Sequence, residues 1–86
     1  MNWHDEALNQ VQSREDLADY LARMAEMVRS GDMPAENITA DSLIDAAARW
    51  TRSMDGFFKN IVKEPVPEEP DWSMIAAIFH AALIYE

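Results

Sequence analysis

The sequence has no cysteine, few glycines, few bases and no apolar run long enough to cross a bilayer. Without cysteine there is neither a disulfide framework nor a thiolate zinc site, so the fold rests on packing. Only Gly31 and Gly56 are available, which leaves no glycine-rich phosphate loop. The longest apolar stretch, Trp72–Tyr85, would make about 21 Å of helix. A hydrocarbon core is ~30 Å thick, so the stretch reads as a buried helix and not a span. Seven bases against sixteen acids give a net charge of −9. That charge repels phosphate backbones and argues against direct nucleic-acid binding, while it favours encounter with a basic partner. The opening "MNWHDEALNQ" lacks the basic and apolar regions of a secretory signal, and the expected location is cytoplasmic.

What remains is enough for one core. At 86 residues with 49% apolar side chains the chain forms a single domain, 1–86. Its stability is expected at roughly 4–13 kcal/mol. Trp3, Ala7, Leu8 and Val11 have helical spacing and predict a short N-terminal helix. In "SRED", Ser13 caps a second helix with Asp16 three residues on, followed by the apolar stripe Leu17, Tyr20, Leu21, Met24, Met27 and Val28. Gly31 ends it, giving 13–30. Thr39 or Asp41 caps a third helix, 40–56, with Leu43, Ala47, Trp50 and Met54 on its apolar face, Ile44 and Thr51 beside them and Gly56 at its end, although Phe57 and Phe58 could continue the packed face by another turn. Three prolines make 57–70 a stiff intradomain loop. Asp71 then caps a last helix, 71–85. The prediction is an all-α bundle of three main helices plus a short N-terminal one. The last helix is apolar around most of its circumference, so either the other helices surround it or another molecule covers one face.

Chemistry is sparse. His80 reads as a histidine at the edge of the core, and an enzyme built on it would need an adjacent pocket. His4, Asp5 and Glu6 do not converge on one ion as neighbours on a helix, so neither metal nor cofactor is expected. Acid pairs such as Asp41 with Asp45 arise freely among sixteen acids, and no catalytic residue is assigned. Asn37-Ile38-Thr39 is formally a glycosylation acceptor, but no export signal accompanies it. Pro67 and Pro70 have PxxP spacing, with two glutamates between them. Arg49, Arg52, Lys59 and Lys63 form a basic stretch that either pairs with nearby acids or leaves the chain electrically polar.

The order of features carries a resemblance. The capped "SREDLADYL" helix, the "NIT…L" approach to a helix ending near "ARW", the proline loop, and "DW" opening a helix that closes in "YE" resemble a family of small acidic bacterial domains of unknown function. The likeness runs from Val11 to Glu86. It rests mainly on Trp72 and Tyr85-Glu86, with support from Leu17, Asn37, Leu43 and Trp50. In that family's pattern a tryptophan commonly stands two residues before the asparagine. Here Ala35 takes its place, so no role of that aromatic transfers. The resemblance implies no established activity, and by analogy such domains are similar to immunity or antitoxin-like proteins that bind and block a toxin.

The resulting expectation is a non-enzymatic, acidic protein-binding domain. Asp32, Glu36 and Asp41, or the loop acids Glu64, Glu68, Glu69 and Asp71, would steer a basic protein partner, with Trp50 as an apolar anchor. The alternative is a homodimeric structural or regulatory module that uses a surplus face of the last helix.

Overall fold

Each long helix begins where a short polar side chain satisfies its first free N–H groups. The computed structural model describes residues 5–84, and among them every regular element is helical, as the sequence predicts. A single turn, α1 (Glu6–Asn9), is capped by Asp5. The expected Trp3 contribution lies outside the described residues. Helix α2 (Arg14–Ser30) starts at Ser13, whose Oγ accepts the Asp16 N–H at 3.0 Å. The Asp16 carboxylate reaches back to the N–H of Gln12. This is the reciprocal arrangement of a capping box displaced by one residue. Gly31 ends α2 at φ 87°, a conformation that costs glycine little.

Helix α3 (Ala40–Phe57) opens with a reciprocal box between Thr39 and Ser42. It does not stop at Gly56, and the expected loop over 57–70 begins later, because a π-helical segment (Phe58–Val62) continues the helix. The reason is burial. Phe58 is only 1% exposed, and Phe57 stacks obliquely on Trp50 with ring centroids 5.7 Å apart. Burying one such ring contributes roughly 1.5–3 kcal/mol, more than the ~1 kcal/mol that a mid-helix glycine costs. The segment closes when the Lys63 and Glu64 N–H groups both donate to the Phe58 carbonyl, at 2.6 and 3.3 Å.

Helix α4 (Trp72–Ile84) is capped by Asp71, whose Oδ1 accepts both the Met74 N–H and the Ser73 hydroxyl at 2.8 Å. It is the hub of the molecule. It packs on α1, α2 and α3, while no Cα of α2 comes within 8 Å of one in α3. The core joins Leu8 and Val11 to Met54, Phe58, Met74, Ala76 and Ala77. This explains the nearly uniform apolarity of α4: neighbours approach from several sides, and its small alanines admit them closely. Even so, Trp72, Phe79 and Ile84 keep a large exposed area.

The far end of α4 is closed by the connection between α2 and α3. The Glu36 and Asn37 N–H groups donate to the Leu83 carbonyl at 2.7 and 3.0 Å, and Asn37 Nδ2 donates to the Ala82 carbonyl at 2.8 Å. Carbonyls left free at a helix C-terminus are thereby satisfied. The half-buried Asn37 amide is structural in this setting, which opposes the glycan-acceptor role its motif formally allows. Among the described residues no helix is long and apolar enough to cross a membrane.

Candidate functional site

The acids singled out in the sequence fall into two groups at opposite ends of α4. Asp32, Glu36 and Asp41 gather at its C-terminal end, because the loop that carries the first two is tied to the Leu83 carbonyl. Glu64, Glu68, Glu69 and Asp71 belong to the loop that enters its N-terminus. Thirteen residues of helix separate the two, about 20 Å. They do not make one site.

The two groups differ electrostatically. Asp71 is committed to capping α4, where an acid is favoured by the positive end of the helix dipole. Asp41 has a similar position in the first turn of α3. Its carboxyl is held below the usual range, chiefly by a hydrogen bond from the Thr39 side chain and then by backbone N–H groups. Asp32 and Glu36 are placed against this rule. The Asp32 carboxylate accepts a 3.0 Å bond from Ser30, the last residue of α2, and Glu36 donates its own N–H to the end of α4. Both acids therefore stand beside the negative ends of helices, where carboxylates are disfavoured.

This corner also carries apolar surface. Ile38, between Glu36 and the cap of α3, is 81% exposed. Ile44, one turn beyond Asp41 on the outer face of α3, is 68% exposed. Sequence periodicity placed Ile44 beside the buried stripe and gave Ile38 no role. The usable signal was local, since one isoleucine interrupts a polar connection and the other stands between Asp41 and Asp45 on the exposed side. Trp50, the expected anchor, instead packs half-buried against the core.

The basic stretch is divided. Arg49 pairs with Asp45 at 3.2 Å. Lys59 and Lys63 have no carboxylate within 4 Å among the described residues. Two open clefts stand out. One, about 460 Å³, lies between α2 and α4 and is lined by Leu21, Met24, Ala25, Val28 and Phe79, with Arg29 and Leu83. The other follows α3 and contains both lysines. His80, half-buried on α4, lines neither of these two. Among the described residues no three histidine, aspartate or glutamate side chains are grouped to hold a metal, and His4 lies outside them.

The model of a family of unknown function, DUF7660, matches residues 13–86. The chain belongs to that family. The match starts at the Ser13 cap, so the DUF7660 unit comprises α2, α3, the π-helical segment and α4, and it leaves α1 outside. Both the α4 hub and the acidic corner with Ile38 and Ile44 fall inside DUF7660. No curated protein and no solved structure is matched by this chain.

Proposed function

We propose that the protein is a non-enzymatic binding domain that docks a basic protein partner on the corner formed by Asp32, Glu36, Ile38, Asp41 and Ile44, in the manner of a cytoplasmic immunity or antitoxin-like protein. The observation that carries this reading is the company the two isoleucines keep. Among the described residues the two most exposed large apolar side chains both stand near acids, Ile38 two residues from Glu36 and Ile44 one turn from Asp41. Of these acids Glu36, like Asp32, lies at a helix C-terminus that disfavours a carboxylate. A carboxylate kept where it weakens the fold, beside an apolar group kept in water, suits a partner that brings positive charge and an apolar recess. The acids steer the encounter and the isoleucines supply the desolvated contact.

The test is a pulldown with the tagged protein from its native lysate, washed at low and high salt, followed by affinity measurement on whatever is retained. One basic protein held near-stoichiometrically is expected, with affinity falling as salt rises and falling about tenfold or more in Ile38→Ala. Co-expression would then relieve the toxicity of that partner. Unchanged affinity and association rate in a variant carrying Ile38→Ala, Asp32→Asn and Glu36→Gln would overturn the assignment of the surface.

A second reading has its own observation. Trp72, Ile75 and Phe79 lie on one side of α4 at helical spacing, and Phe79 opens into the groove against α2. A second copy would cover this face, although two chains of charge −9 repel each other. Sedimentation from micromolar to millimolar concentration separates the readings: a dimer abolished by Phe79→Ser supports this one, and a strict monomer dismisses it.

A further inference from the structure

The second cleft, about 540 Å³, is lined by Lys59 and Lys63 together with Phe58, Pro65 and Val66, and Asp55 and Glu64 border the same space. These are the only two lysines in the chain. Both sit on or directly after the π-helical segment, an element that recurs at functional sites. Lys63 is also the one non-glycine residue at positive φ among those described, at φ 62° and ψ 35°. Glycine would hold that conformation without the clash a β-carbon brings. A lysine there is strained, and its ammonium has no carboxylate within 4 Å among the described residues to offset the strain.

We propose that this cleft binds an aliphatic carboxylate, with its oxygens between the Lys59 and Lys63 ammonium groups and its stem against Val66 and Pro65. Charge selects the class. Two lysines and two acids balance formally, so the cleft offers paired donors without the excess positive field that a phosphate dianion calls for. The proline-rich wall is stiff before any ligand arrives, which limits the ordering cost of binding. The site is independent of the acidic corner, because the length of α3, about 27 Å, lies between them. Failure of either proposal leaves the other standing.

The test is a nuclear magnetic resonance titration of the full chain with three probes: hexanoate, N-acetyl-glycyl-leucine, and the same dipeptide as its C-terminal amide. Saturable shifts of the Lys59 and Lys63 resonances are expected with a carboxylate probe and not with the amide. Binding by hexanoate alone marks a free small acid as the source, and binding by the dipeptide acid alone marks the C-terminus of a chain. Replacing both residues by Lys59→Gln and Lys63→Gln weakens binding about tenfold. Lys63→Gly keeps the comparison open should that double variant fold poorly. It relieves the backbone, so it is expected to melt higher than the parent while binding more weakly. Equal shifts from acid and amide, no saturable shift from either acid, or undiminished binding by Lys63→Gly would each overturn the proposal.

Discussion

At the scale of single residues, the fold depends on a few polar side chains that end helices. Asp71 Oδ1 serves two donors at once, the Met74 N–H and the hydroxyl of the buried Ser73. Asp71→Ala removes the cap and leaves that hydroxyl without its acceptor. A loss of about 1–2 kcal/mol is expected, seen as a lower denaturant midpoint with an unchanged slope. Tyr20 gives a pH dependence. Burial, and secondarily the charge of Asp5, raise its pKa above the ordinary value. A raised pKa means that the fold favours the neutral phenol. The stabilisation is complete below about pH 10 and is lost as pH rises through the folded value. Melting of the parent chain should therefore fall relative to Tyr20→Phe as pH rises above about 10. Parallel curves across that range would show that the phenol makes no such contribution.

At the scale of elements, the two glycines separate what sequence reading reached from what it missed. Gly31 ends α2 at positive φ, as its position after the last apolar residue indicated, and Gly31→Ala should cost about 1 kcal/mol. Gly56 looks the same in the sequence, yet it lies inside α3 at ordinary helical φ, with nothing within 4 Å of where a β-carbon would stand. Gly56→Ala should stabilise the protein by about 0.4–1 kcal/mol, and opposite shifts of the two melting temperatures are the expected result. Caps and stripes were legible because they act within one turn of helix. The Phe57-Phe58 pair signalled one further turn past Gly56, but not the π-helical segment to Val62, which depends on Phe58 joining Met54, Met74 and Ala76 in a core assembled from distant segments. The candidate surface divides in the same way. The identity of its acids could be read directly, whereas their separation to the two ends of α4 depends on the contact of Glu36 and Asn37 with the Leu83 carbonyl. The exposure of Ile44 is not legible in the sequence, because its place at the edge of an apolar stripe does not say whether a neighbouring helix reaches it.

At the scale of the whole molecule, the question is whether the acidic corner differs from acidity in general. Removing two negative charges from −9 leaves −7 wherever they are removed, so general self-repulsion falls equally in any such pair of variants. Local placement does not cancel in this way. Asp32→Asn with Glu36→Gln removes carboxylates from beside helix C-termini, and each change should stabilise the fold by about 0.3–1 kcal/mol at low ionic strength. Glu68→Gln with Glu69→Gln removes the same charge from the approach to the N-terminus of α4, where acids are favourable, and no comparable gain is expected. Thermal unfolding of both pairs at low salt should show the first melting above the second. The difference should shrink near 1 M salt, where screening acts over about 3 Å. Such a result would mean that the chain keeps Asp32 and Glu36 at a cost in stability, as a surface shaped by binding would. Identical melting of the two pairs would reduce the corner to part of a uniformly acidic surface and withdraw its electrostatic support for a docking site.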